Sequence, residues 1–242
     1  MSEPVIHISD LTCTYGRAVI LSGVSLTIGK GEICAIIGKS GCGKTTLLKN
    51  MLGLVDYQIG SVKLLGCEVC DREAVEKEGI FKRMGVLFQR GALLNSLPVV
   101  ENAALPLEMH TKKKRSEIYA IAREKLEQVG MAHASHKLPS ELSGGMLKRA
   151  ALARAMALDP EVLFCDEPSA GLDPVTTRSL DLLLLKIRKE TGVSIVVVTH
   201  DIASIERIAD RVVMLDKGTV AFNGSTAEAR SAALPALKDF FS

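Results

Sequence analysis

This sequence lacks most of the features that mark a secreted, membrane-spanning or nucleic-acid-binding chain. Thirty basic residues face twenty-eight acidic ones, for a formal charge of +2. Such a balance leaves no electrostatic footprint for a polyanion, and nucleic acid is not expected as a partner. Six cysteines are scattered along the chain, which suits a reducing compartment better than a disulfide framework. Met1-Ser2-Glu3-Pro4 carries no basic and apolar leader, so secretion is not expected. No apolar run approaches the roughly 20 residues that span a bilayer. Work at a membrane, if any, is therefore expected to go through other chains. Internal repeats and low-complexity linkers are also missing. What remains is 242 residues, 47% of them apolar, enough for one large domain or one with an inserted subdomain.

Against those absences stands one dense motif, Gly38-Lys39-Ser40-Gly41-Cys42-Gly43-Lys44-Thr45. It has two glycines flanking four residues, followed by Lys-Thr, the pattern of a phosphate loop. Glu32-Ile33-Cys34-Ala35-Ile36-Ile37 ahead of it reads as a buried strand. The residues from Thr46 to Leu52 behind it read as a helix. Glycines let the backbone turn tightly and aim its N–H groups at an anion, and the helix N-terminus adds positive potential. Lys44 is placed to reach β- and γ-phosphates and the Thr45 hydroxyl to ligate Mg²⁺.

The strand Val162-Leu163-Phe164-Cys165 ends in Asp166-Glu167. Carboxylates at the C-terminal edge of a parallel sheet lie where ligands of such folds bind. Asp166 is expected to hold Mg²⁺, directly or through water, and Glu167 to orient or deprotonate an attacking water.

The first third of the chain reads as short strands and turns, at Val5–Ile8, Gly23–Ile28, Gly60–Gly66 and Met84–Phe88. Apolar positions Ile118, Ile121, Ala122, Leu126 and Val129 recur at helical spacing between Lys112 and Val129. A second, Ala-rich helix is predicted from near Gly145 to about Leu158. Uninterrupted apolar runs at Glu161–Cys165 and Val193–Val198 are expected of parallel strands covered on both faces. Between them Leu180, Leu183, Leu184 and Ile187 mark one face of a crossover helix. The expectation is an α/β core interrupted by a helical segment.

Leu142-Ser143-Gly144-Gly145-Met146 supplies a second anion-binding turn, with Ser143 as N-cap and two glycines at a helix start. One phosphate-loop nucleotide does not need a second such turn in the same chain. Two facing copies do. At this point the chain resembles, end to end, the nucleotide-binding subunit of ATP-binding-cassette (ABC) transporters. The resemblance rests on Gly38–Thr45, on Gln89 after an apolar strand, and on Leu142-Ser143-Gly144-Gly145. It continues through Asp166-Glu167-Pro168, Ser169-Ala170-Gly171-Leu172-Asp173 and His200 after a core strand.

The resemblance implies a P-loop NTPase fold with a RecA-like parallel-sheet core, an N-terminal antiparallel β subdomain and an inserted α-helical subdomain. Residues 1–88 and 158–242 would form the nucleotide-binding core with its β subdomain, and 89–157 the helical subdomain. It implies a homodimer that hydrolyses ATP with Mg²⁺ and drives transmembrane permease subunits. ATP would be held by Gly38, Lys39, Ser40, Gly41, Cys42, Gly43, Lys44, Thr45 and Thr46 of one copy. Ser143, Gly144 and Gly145 of the other copy would close over the γ-phosphate. Gln89 would sense Mg²⁺ and the permease, Asp173 would lie at the dimer seam, and His200 would steady the γ-phosphate and water. Tyr15 stands where the family keeps an aromatic that stacks on adenine, with a core tyrosine as the alternative.

Finer features are similar to ATPases of the Mla type, which drive lipid movement between bacterial membranes with MCE-domain partners. Met146-Leu147-Lys148-Arg149 replaces the Gln-rich continuation usual after the double glycine. Gln89 leads into an unusual apolar segment through Leu93, Leu94 and Leu97, then Pro98–Asn102 and Leu105-Pro106-Leu107. That segment would form part of the groove for a permease helix, or helical-subdomain core, or both. The implied location is the cytoplasmic face of a bacterial inner membrane.

Other features carry less. Cys67 and Cys70 have metal-ligand spacing but no second pair to complete a zinc site. Cys42 is read as tolerated in the phosphate loop, where its oxidation would block nucleotide. Lys112–Arg115 reads as a solvated helix start or a contact for anionic headgroups. Leu234, Leu237, Phe240 and Phe241 form an apolar stripe that folds back on the core or docks on a second copy. A DNA-repair or chromosome ATPase is disfavoured because no sustained heptads separate the phosphate loop from Ser143. An ATPase driving a signalling or mechanical partner stays open.

Overall fold

The computed structural model describes residues 4–241. A long hairpin, β1 (Ile6–Tyr15) and β2 (Ala18–Ile28), leads into β3 (Ile33–Ile37), and α1 (Lys44–Met51) follows the phosphate loop. Next come β4 (Ile59–Leu64), β5 (Cys67–Glu68), α2 (Arg72–Lys77) and β6 (Met84–Leu87). Helices α3 (Val99–His110), α4 (Arg115–Gln128) and α5 (Gly144–Ala155) separate β6 from β7 (Val162–Asp166). Then α6 (Pro174–Thr191), β8 (Ser194–Val198), α7 (Ile202–Ile208), β9 (Arg211–Asp216) and β10 (Thr219–Ser225) precede α8 (Thr226–Ser231) and α9 (Pro235–Phe241).

A six-stranded sheet runs β10-β9-β3-β8-β7-β6, parallel at every pairing except β10 with β9. A separate antiparallel sheet runs β2-β1-β4-β5. The parallel core and the N-terminal antiparallel sheet are thus both as the sequence predicts.

The apolar runs explain themselves once their two faces are followed. Val162 and Phe164 join Ile36, Val196 and Val198 in a cluster with Leu47 and Leu48 of α1 and the inner face of the antiparallel sheet. Leu163 and Cys165, pointing the other way, join Ile195 and Val197 against Leu126 of α4, Leu152 of α5 and Leu184 of α6. Alternate side chains are covered on both sides, so no polar position is tolerated. Helix α6 buries Leu180, Leu183, Leu184 and Ile187, starts on Asp173-Pro174 and stops on Gly192 in a left-handed conformation, the punctuation its sequence provides.

Two elements differ from the sequence expectation. The helical segment expected over 89–157 has no individual helix assigned over 98–107, where Pro98 and Pro106 discourage one. The chain nevertheless forms α3, with Pro98 just ahead of it and Pro106 inside it. Burial of Ala103, Ala104 and Leu107 in the cluster shared with α4 and α5 outweighs the backbone bond that Pro106 removes. The parallel sheet also continues past Val198. Strand β9 pairs with the free side of β3, and the 211–225 hairpin closes that edge.

The C-terminal stripe folds back. Leu237 is buried with Ile37, Ile205, Val212 and Met214, and Leu234, Phe240 and Phe241 pack partly over them. Among the described residues no helix is long and apolar enough to cross a membrane.

Candidate functional site

Strands β3, β6, β7 and β8 all end on one edge of the parallel sheet. The loops beyond them hold the residues singled out in the sequence. Together they enclose a cavity of about 370 Å³, lined by Ser40, Gly41, Gly43 to Thr46, Gln89, Asp166 and Glu167, with Ile20 and Val198 as its apolar wall.

The phosphate loop is shaped by close packing beneath it. Gly38 has φ +144°, and a Cβ there would lie 2.3 Å from the Leu215 carbonyl oxygen and 2.7 Å from Cys42 Sγ. Cys42 is buried, so its sulfur is part of the floor rather than of the cavity lining. Lys44 reaches across the loop, its ammonium donating to the carbonyls of Gly38 at 2.7 Å and Lys39 at 3.0 Å. Helix α1 begins directly behind, on Gly43 in a left-handed conformation. Lys39 points away to Asp239 of α9 at 3.7 Å.

Opposite the loop, Asp166 closes β7 and Glu167 follows with φ +45°, a conformation that costs a non-glycine residue of order 1 kcal/mol or more. Several contacts hold it there. The Glu167 N–H donates to the Val198 carbonyl at 2.8 Å. Its own carbonyl accepts from the Ala170 N–H at 3.1 Å and from the Lys148 ammonium at 3.2 Å. Its carboxylate Oε1 lies 3.0 Å from His200 Nδ1. Burial, and secondarily the adjacent Glu167 charge, push the Asp166 carboxyl above its ordinary range, while Lys148, Lys49 and Lys44 oppose that rise.

The remaining predicted residues sit elsewhere. Ser143 and Gly144 are exposed and, like Gly145, lie outside the cavity lining. Ser143 caps α5, its hydroxyl accepting from the Met146 N–H at 3.4 Å. Gly145 is required by its neighbour: a Cβ there would come within 2.5 Å of Thr176 Cγ2 on α6. Asp173 caps α6, accepting from the N–H groups of Val175 and Thr176 at 2.9 and 3.0 Å. The Thr176 hydroxyl and then its N–H hold the Asp173 carboxyl below its usual range. Tyr15 is exposed at the end of β1, on the same hairpin as Ile20 but not itself in the lining. Exposed Lys112, Lys113, Lys114 and Arg115 precede α4 or open it.

Three residues that fasten the site were not picked out as such in the sequence. Lys148, on α5, is buried and donates to the carbonyls of both Gln89 and Glu167. Arg154, two turns on, donates to the carbonyls of Gly91 at 2.9 Å and Ala92 at 2.7 Å. Asn102 is buried in α3 and ties down the Leu94–Pro98 segment through bonds to Leu94, Leu97 and Pro98. Lys148 had a signal: it stands three and four residues before Ala151 and Leu152, on the face of α5 that the sequence buries. Burial pulls its ammonium below the ordinary lysine range, against the pull of Cys165, Asp166 and Glu167.

A family model described as ABC transporter matches residues 21–170. The chain is 43% identical over 210 residues to the probable ribonucleotide transport ATP-binding protein mkl of Mycobacterium tuberculosis, which covers 87% of this chain and 58% of that protein. It is 40% identical over 220 residues to the methionine import ATP-binding protein MetN of Clostridium tetani, covering 91% and 69%. The chain therefore spans about three-fifths of the length of the mkl relatives. Among solved structures, the dimeric cassette MJ0796 bound to ADP and Pi in a post-hydrolysis state superposes with a TM-score of 0.82 at 31% identity, covering 91% of this chain and 98% of that one. The cbiO1 protein of Clostridium perfringens, part of the cbiONQ transporter complex, gives 0.86 at 28% identity, covering 95% and 92%.

Proposed function

This chain belongs to the ABC transporter family, and from that premise we propose that it pairs with a second copy around two Mg–ATP and powers a membrane permease that moves lipid. ATP hydrolysis with Mg²⁺ is the chemistry of the fold. The observation that carries the paired reading is the division of the motifs. The phosphate loop, Gln89, Asp166 and Glu167 share one cavity, whereas the Ser143–Gly145 turn stands exposed outside it. A second copy would bring its own turn to that cavity, with Asp173 at the seam.

Thr45, Gln89 and Asp166 bring a hydroxyl, an amide and a carboxylate to the same cavity. That donor set is too small for a protein-only cage and fits Mg²⁺ completed by phosphate oxygens and water. Bound there, the ion would offset charge developing on the phosphates. The loop N–H groups and Lys44, freed from the loop carbonyls, would grip the phosphate tail. Glu167 would accept a proton from the attacking water, with His200 fixing its carboxylate. Tyr15 would approach the adenine from its exposed hairpin end.

Residues 89–157 would act as the partner-facing helical subdomain, and 1–88 with 158–242 as the nucleotide core. A cavity of about 220 Å³ beside edge strand β6, lined by Met84, Val86, Phe88 and Pro106, shares Phe81 and His110 with a neighbouring one of about 460 Å³. This groove, whose lining also includes Arg72, Glu76, Lys82 and Arg154, would receive a cytoplasmic helix of the permease. Lipid as cargo, an MCE-domain partner and a place on the cytoplasmic face of a bacterial inner membrane rest on Met146–Arg149 and the apolar segment from Leu93 to Leu107. The ribonucleotide and methionine of the relatives' names mark the competing cargo classes. Purification of the tagged chain from native membranes tests the choice. Co-eluting permease, MCE-domain protein and phospholipid, identified by mass spectrometry, is the expected outcome. A permease with a solute-binding protein and no lipid would overturn the lipid assignment.

A further inference from the structure

We propose that Lys148 is a positioning residue for hydrolysis, a strut through which α5 sets the backbone of Gln89 and Glu167 together. The inference rests on the reading of Glu167 as the water-activating carboxylate.

Lysine is rarely buried without a partner carboxylate, yet Lys148 is only 6% exposed and forms none of the ion pairs found among the described residues. Its ammonium is spent on two backbone carbonyls, one from each of two loops that meet at the cavity. Gln89 lies just past β6, and Glu167 lies just past β7. Lys148 therefore bridges the ends of neighbouring strands from a third element. That element is α5, whose first turn carries Gly144 and Gly145 and whose cap is Ser143.

The ammonium, with three donors on a long stem, spans both carbonyls. Glu167 needs the support. Its left-handed backbone is unfavourable, and the carbonyl held by Lys148 belongs to that same residue. The loop on the other side is stapled to α5 twice, at Gln89 by Lys148 and at Gly91 and Ala92 by Arg154. Displacement of either the segment after Gln89 or the Ser143 turn is thereby transmitted to the Glu167 peptide. Lys148 is not among the residues lining the cavity; it acts through Glu167.

The test is the ATPase kinetics and melting of the full chain carrying Lys148→Met, Lys148→Arg, Glu167→Gln and the Lys148→Met/Glu167→Gln pair. Misplacing a catalytic group costs 10-fold to 100-fold, so Lys148→Met should lower kcat about 10-fold with KM for ATP unchanged. Its Tm should fall only modestly, because two backbone carbonyls lose a donor while the cost of a buried charge is also removed. Lys148→Arg, which keeps charge and donors, should recover most of kcat. In single turnover, Lys148→Met should add almost nothing to Glu167→Gln, because the two act as one unit. Wild-type kcat in Lys148→Met beside an inactive Glu167→Gln would overturn the strut alone. So would a fully additive 10-fold loss in the pair, or a parallel fall in Tm and kcat that Lys148→Arg does not relieve. Full-rate hydrolysis by Glu167→Gln would instead overturn the reading of Glu167 on which the strut depends.

Discussion

The phosphate loop and the Ser143 turn are built from similar parts, glycines at the start of a helix, and end in opposite situations. The first is surrounded by its own chain: Lys44 crosses it, Asp166 and Glu167 face it, and Gln89 closes the rim. The second faces outward, with Ser143 and Gly144 exposed. Even the glycines have different reasons. Gly38 answers to the Leu215 carbonyl beneath the loop, whereas Gly145 answers to Thr176 on the adjacent helix. Similar local parts are thus enclosed by their own chain in the first case and left exposed in the second.

The comparison is broken most severely on its finished side. Glu167→Gln keeps the shape of the site and removes the carboxylate proposed as the base, so turnover should fall on the order of 10³-fold, with ATP retained after gel filtration. Undiminished hydrolysis would remove Glu167 from the chemistry. Lys44→Ala removes the charge that spans the loop. A loss of about 10²-fold in kcat/KM is expected, with weaker binding of a fluorescent ATP analogue. Wild-type binding and turnover would detach the loop from nucleotide.

The unfinished side should respond differently. Gly145→Val must push Thr176 aside, at a cost of about 1–3 kcal/mol read as a lower Tm, and should leave binding of ATP by one chain intact. An unchanged Tm would show that α5 and α6 are not packed as described. The smallest effect sharpens the contrast: Asp173→Ala removes the cap of α6, worth about 1 kcal/mol in chemical denaturation. If Asp173 also lies at a seam between copies, dimer formation should suffer more than that figure allows.

Much of this arrangement is written in local patterns. The phosphate loop, the carboxylates after Cys165 and the Ser143 cap are fixed by neighbours within a few residues, and each stands where its spacing predicts. Helix α6 is legible for the same reason, from Asp173-Pro174 to Gly192. What escaped depends on distant packing. Pro98 and Pro106 obscure α3, which exists because α4 and α5 cover it. Strand β9 pairs with β3 on the side opposite β8, a choice no local pattern records. Lys148 and Asn102 are polar residues whose partners lie in loops, and only the fold shows which carbonyls need them.

The central claim, that the exposed turn completes the site of a second copy, is tested most directly by sedimentation of Glu167→Gln in Mg–ATP, with and without Ser143→Arg. The account predicts an ATP-dependent dimer holding two nucleotides for Glu167→Gln alone. Added Ser143→Arg should return it to a monomer that still binds ATP. Equal dimerisation of both proteins, or no dimer from either while wild-type hydrolysis stays strictly linear in protein concentration, would contradict it.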